Sequence, residues 1–158
     1  MNEAGEIQVS IGEVKVGRGS NTLKATLGSC VGIGFIWREK NLCGLAHCLL
    51  ADGPNEGSTI GARFVSQAVP SLIALMHITP DDVDKIDAVI VGGGNMTAPK
   101  GVQDDKLVGA VNASSAAKLL EKHRFRVVHK DVLGDAGRQL TINCVDGTFS
   151  VKKIPRLI

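Results

Sequence analysis

The chain has 158 residues, a length that predicts a single domain spanning 1–158. Its formal net charge of +2 is too balanced to imply nucleic acid or an anionic membrane as partner, and no apolar run reaches the roughly 18–20 residues of a membrane span. Hydrophobic residues make up 44% but aromatics only 3%, with no Tyr, so the expected core is sizeable and aliphatic.

Taken in order, the chain opens on the short acidic stretch Met1-Asn2-Glu3-Ala4-Gly5-Glu6, which is unlike a signal peptide. Ile7, Val9 and Ile11 alternate with polar residues, and Val14 and Val16 follow Gly12. This predicts two short half-buried strands or one strand with a bulge. After the loop 17–21, one long strand is predicted over 23–37, with Gly28, Gly32 and Gly34 inside it. Interior glycines mark a bulge or a close approach. Glu39-Lys40-Asn41 reads as the turn into a second strand over 42–50, which makes the two runs antiparallel neighbours. Cys30 and His47 then lie opposite or diagonal to each other.

A polar loop follows over 51–57. Ser58 or Thr59 is the expected N-cap of a helix whose apolar face is Ile60, Phe64, Val65, Ala68, Val69, Leu72, Ile73 and Met76, with Pro70 kinking it or opening a second segment. Thr79-Pro80-Asp81-Asp82 predicts a short helix with Pro in its first turn. Residues 88–91 read as a buried strand ending in Gly92-Gly93-Gly94, to which a turn or packing role is assigned. Asn112 can cap a second main helix over 113–123 with Ala116, Ala117, Leu119 and Leu120 inward. Strands are predicted over 126–132, 139–145 and 148–154, the last two joined at Asp146-Gly147. Asp131 and Arg138 can pair to pin the turn between them. The expected fold is α+β: mostly antiparallel mixed β-sheets in a layered sandwich, with two main helices packed on one side.

The chemistry centres on Cys30 and His47. A thiol is mostly protonated near neutral pH, and a histidine within reach can take its proton and later return it to a leaving group. Small neighbours let a carbonyl approach the sulfur, and the amides around Gly28, Ser29 and Cys30 can donate to an oxyanion. Thr26 is the nearest hydroxyl at an even position like Cys30, so it is the candidate to hold the imidazole. The residues alone leave a plainer reading open, in which Cys30 is a small buried hydrophobe and His47 a satisfied core histidine. Cys43, His47 and Cys48 lack the second ligand pair of a zinc site, and the neighbours His47 and Cys48 point to opposite faces, so no metal is expected. Four cysteines in a chain with a real core predict a reduced, cytoplasmic protein.

Several segments in this order resemble the chemoreceptor glutamine deamidase CheD family: Leu27-Gly28-Ser29-Cys30-Val31, Ala46-His47, Gly92-Gly93-Gly94-Asn95-Met96, Val108-Gly109-Ala110-Val111-Asn112, and the run from Asp131 to Arg138, with Leu133 in place of the family's first Gly there. The resemblance implies a cofactor-free Cys-His-Thr site that hydrolyses glutamine side-chain amides on the cytoplasmic helices of chemoreceptors, with Cys30 as nucleophile and His47 as base. The family's threonine lies five or six residues before its cysteine, where this chain has Ala25 and Lys24. Thr26 is assigned in its place because a shift of two keeps the strand face. A shallow, open site is expected, since the substrate glutamine sits on a folded helix. The resemblance also allows a CheC-type phosphatase as partner, a binding-only role, or another cysteine amidohydrolase. A low-pKa Cys30, alkylated faster than Cys43, Cys48 or Cys144, would separate catalysis from binding.

Overall fold

A computed structural model describes residues 5–53 and 59–156. Two sheets stack on each other. A four-stranded sheet has the order β1(Glu6–Gln8), β3(Thr22–Leu27), β8(Gly137–Asn143), β9(Thr148–Ile154). A five-stranded sheet has the order β2(Val14–Arg18), β5(Leu42–Cys48), β4(Val31–Trp37), β6(Asp87–Gly92), β7(Arg126–Val132). Pairing is antiparallel except for β1 on β3 and β6 on β7. The helices α1(Val65–Leu75) and α2(Val108–Lys122) cover the outer face of the five-stranded sheet, with α2 making the crossover between β6 and β7. The layered α+β sandwich expected from the residues is the observed one.

The central strands are buried on both faces, which explains their unbroken apolar runs. Val31, Ile33, Phe35 and Trp37 of β4 pack with Val65, Leu72, Ala116 and Leu120 of the helices. Cys30, Ile36, Cys43, Leu45, Val89 and Val91 pack instead with Leu23, Ala25, Leu27, Leu140 and Ile142 of the other sheet. Alternate side chains thus belong to different cores, as the two-residue period of a strand requires.

Several boundaries differ from expectation. The long strand over 23–37 is two strands in two sheets, with Gly28-Ser29-Cys30 carrying the chain across from β3 to β4. Likewise β1 and β2 lie in different sheets, and Gly12, at a φ of 84°, sits between them. Helix α1 begins at Val65 behind Phe64, and Ile60 is exposed. Ser58 lies outside the described residues, and the helix runs through Pro70 as one segment. The 3₁₀ turn Pro80–Lys85 has the expected start, with Thr79 and Asp82 capping each other. Helix α2 begins at Val108, so Asn112 is inside it rather than at its cap. Strand β8 ends at Asn143, leaving a four-residue turn before β9 instead of two, with Gly147 at a φ of 67°. Arg138 does donate to Asp131, from Nε at 3.2 Å, and also to the Ala136 carbonyl at 2.8 Å.

Candidate active site

The register of the central strands brings the thiol and the imidazole onto one face. Val31 pairs with Cys48 and Gly32 with His47. Cys30 stands one residue before β4 and packs into the layer between the sheets, the side to which His47, opposite Gly32, also turns. That face is the inner one, between the two sheets. Cys30 is 6% exposed and His47 4% exposed, at the end of the buried layer. The thiol is therefore more covered than the open site expected, and the Met96 side chain lies against Gly28.

The imidazole is oriented by backbone. His47 Nδ1 is 3.0 Å from the Val9 carbonyl oxygen. A carbonyl only accepts, so Nδ1 carries the proton and Nε2 keeps its lone pair. Nε2 is buried and has no hydrogen-bond partner among the described residues. A proton acceptor without a partner is what a thiol on the same face can use. Burial holds the His47 pKa below its ordinary value, against opposing contributions from the Val9 carbonyl and Glu13. Burial also pushes the Cys30 thiol up, while its own backbone amide pulls the other way. Both shifts favour the neutral thiol and the neutral imidazole over a preformed thiolate. Cys43, Cys48 and Cys144 are still less accessible, at 1%, 0% and 1%.

Thr26 does not join this pair. It sits on β3 opposite Gln139, and its hydroxyl takes the Gln139 amide at 3.5 Å on the exposed face. Leu23, Ala25 and Leu27 point inward, so even positions on β3 face away from the layer that Cys30 enters. The parity argument fails because the chain changes sheets between the two residues. The position held by Lys24 faces outward as well, where its ammonium pairs with Glu6 at 2.6 Å.

The loop before Cys30 is held by its carbonyls. Gly28 O accepts from the Gly94 amide at 2.9 Å, and Cys30 O from the Gly93 amide at 2.8 Å. Ser29 O accepts from Asn112 Nδ2 at 3.1 Å. The Gly92–Gly94 segment is therefore built for close approach. A Cβ on Gly92 would meet Cys30 O at 2.3 Å, and one on Gly93 would meet the Gly109 carbonyl of α2 at 2.5 Å. Among the described residues, no backbone carbonyl accepts from the Ser29 or Cys30 amide. The Cys30 amide acts instead on its own sulfur.

The residues not anticipated were Val9 and the role of Asn112. Val9 acts through a carbonyl, which leaves no trace in side-chain chemistry. Asn112 did leave one: it shares the i, i+4, i+8 register of Ala116 and Leu120, a polar residue on an apolar helix face. A cavity of about 820 Å³ lies on the far side of Gly93-Gly94, between α2 and the Leu133-Gly134 turn, and is lined by neither Cys30 nor His47.

A family described as CheD chemotactic sensory transduction matches residues 49–153. Full-length relatives extend the match over the segment that carries Cys30 and His47. The protein "Probable chemoreceptor glutamine deamidase CheD 2" of Ruegeria sp. is 36% identical, covering 98% of this chain and 96% of its own. The chain belongs to the CheD family. The CheD of Bdellovibrio bacteriovorus is 37% identical with 96% of both chains covered, and that of Archaeoglobus fulgidus 34% identical with 93% of this chain and 92% of its own covered; both carry the same deamidase name. A solved structure, Neisseria meningitidis protein NMB0706, aligns at 13% identity with a TM-score of 0.48, over 82% of this chain and 63% of that one.

Proposed function

We propose that this CheD chain is a protein-glutamine deamidase acting on chemoreceptor helices, with Cys30 as nucleophile and His47 as its base and acid. The observation that carries the site assignment is the Nδ1–Val9 hydrogen bond, which fixes the tautomer and leaves Nε2 as a buried acceptor on the face shared with Cys30. Its relatives' names supply the substrate class.

In this mechanism Nε2 takes the thiol proton as the sulfur attacks Cδ of the substrate glutamine. The C=O π electrons move to oxygen, and amides of the Ser29–Cys30 loop donate to that oxyanion. When the oxyanion collapses, the C–N bond breaks and the imidazolium proton leaves with the nitrogen as ammonia. A water, deprotonated by Nε2, then attacks the thioester carbon; the C–S bond breaks, the imidazolium returns its proton to the sulfur, and the receptor is left with a glutamate side chain. A depressed His47 pKa keeps the base unprotonated at neutral pH.

The reading places the chain in the cytoplasm, where receptor helices are reached and where four free thiols persist. No described helix is long and apolar enough to cross a membrane.

The test is ammonia release from a purified receptor fragment. Cys30→Ala and Cys30→Ser should lower it to background with circular dichroism unchanged, since a removed nucleophile costs on the order of 10⁴–10⁶-fold. Release at the parent rate from either variant rules out Cys30 as nucleophile.

A further inference from the structure

We infer that Asn112 is a positioning residue for the reaction: it sets the peptide plane that aims the Cys30 amide, and it ties the nucleophile-bearing strand end to the base-bearing one. This rests on the assignment of Cys30 and His47 as the reacting pair.

Asn112 lies on α2, is 1% exposed, and reaches the sheet edge with its amide nitrogen. That nitrogen donates to Ser29 O at 3.1 Å and to Leu49 O at 2.9 Å. Ser29 directly precedes the nucleophile, and Leu49 is two residues beyond His47. One –NH₂ group thus uses both of its protons to bridge the two chain segments that carry the reacting atoms. Both carbonyls belong to segments just outside the β4–β5 ladder, whose pairing stops at Val31 and Cys48. The bridge replaces the ladder where the ladder ends.

The second consequence follows from peptide geometry. A trans peptide is planar, with its C=O and N–H pointing in opposite directions. The Ser29 carbonyl and the Cys30 N–H belong to one peptide plane. Holding Ser29 O toward α2 turns the Cys30 N–H away from α2, toward its own sulfur, which it stabilises as an anion. An oxyanion formed at that sulfur develops next to the same N–H. By the same geometry the Gly94 amide on Gly28 O aims the Ser29 N–H, so the two donors are set by two different elements. Asn112 touches neither substrate nor sulfur; it acts through the plane it holds.

The experiment compares Asn112→Asp, Asn112→Ala and Asn112→Ser with the parent enzyme. The readouts are kcat and KM for ammonia release from a receptor fragment, and the pH profile of Cys30 alkylation by iodoacetamide, followed site by site by mass spectrometry. The aspartate is isosteric but sets an acceptor against the two carbonyls. The expected result is a kcat lower by about 10²-fold in Asn112→Asp and Asn112→Ala with KM within about threefold, because misaimed donors act on the transition state rather than on binding. The alkylation profile should move to higher pH, and Asn112→Ser, which restores one donor, should recover part of both. A merely structural role predicts a lower melting temperature with kcat and alkylation profile unchanged at low temperature, and that result overturns the inference.

If a variant does not fold, the parent protein still decides. The two Asn112 side-chain amide protons should exchange slowly with solvent in nuclear magnetic resonance spectra and shift on alkylation of Cys30. Fast exchange with no shift overturns the proposal. The two readings separate cleanly. A dead Cys30→Ala with parent-like Asn112 variants keeps the deamidase and removes the positioning role. An active Cys30→Ala removes the nucleophile assignment on which the inference rests, and the alkylation profile then judges Asn112 by itself.

Discussion

The five-stranded sheet has two ends built on opposite principles. At one end Trp37 and Leu42 finish β4 and begin β5, and Asp87 opens β6. There Asp87 accepts from Arg38 and from Arg126, both at 2.5 Å, so the first residues of β6 and β7 are locked by charge. At the other end β4 begins, while β5, β6 and β7 finish, and among the described residues no ion pair includes Cys30 or His47. An Arg138–Asp131 pair lies at that end, where β7 finishes, but the loop that carries Cys30 is held by backbone amides and one asparagine amide. The difference is one of cost and freedom. Two arginines neutralise a buried carboxylate firmly but fill its surroundings. Backbone donors hold a loop by its carbonyls and leave its own N–H groups turned toward the thiol side, which is what a nucleophile with an oxyanion to stabilise requires.

The contrast is broken most strongly at the base. His47→Gln keeps much of the shape but loses the Nε2 acceptor, and should lower kcat by roughly 10²–10⁴-fold. The same residue carries a pH signature. Its folded pKa lies below the ordinary 6.5 because burial disfavours the imidazolium. As pH falls below 6.5 the unfolded chain binds a proton that the native state refuses, so stability falls with pH from there down to the folded value. Denaturant midpoints measured between pH 7 and 5 should show this loss in the parent, reduced in His47→Gln. Identical slopes in the two proteins would contradict it.

At the charged end the prediction is inverted. Asp87→Asn should cost about 1–3 kcal/mol of stability through the lost charge-assisted hydrogen bonds, while kcat of the folded enzyme stays within about twofold. For Asp87, burial works to raise the carboxyl, and the hydrogen bonds and charges of Arg38 and Arg126 outweigh it, so the folded pKa is depressed. Its contribution is present above the ordinary 3.8 and is lost as pH falls through the lower folded value. A large loss of kcat in folded Asp87→Asn would show that the two ends are coupled rather than separate. The smallest effect is expected on the outer face of the other sheet. Thr26→Val should change stability by no more than about 0.5 kcal/mol and leave kcat unaltered; a dead Thr26→Val would return the threonine to the mechanism and displace the Val9 carbonyl from its orienting role.

Much of this molecule was legible before its fold was known. Alternation and helical spacing located most strands and both main helices, because burial on one face or two leaves a period in the residues. Small residues around Cys30 and an imidazole in the next apolar run marked the chemistry, and the ordered glycine segments marked the family. Boundaries were misread where tertiary packing overrides local signals. Ile60 fits a helical face yet stays exposed, and Asn112 looks like a cap yet lies inside α2.

The residue sequence by itself determined which side chains are available for the reaction and that the segments carrying Cys30 and His47 run next to each other. Only the tertiary structure decided what serves them. A run of apolar residues from Leu23 to Trp37 has one period whether it stays in one sheet or crosses between two, so the sequence could not show that Thr26 and Cys30 part company at Gly28. Nor can it show a carbonyl: Val9 orients the imidazole through an atom every residue possesses, and only the folded path of the chain just after β1 brings that atom to 3.0 Å from the ring.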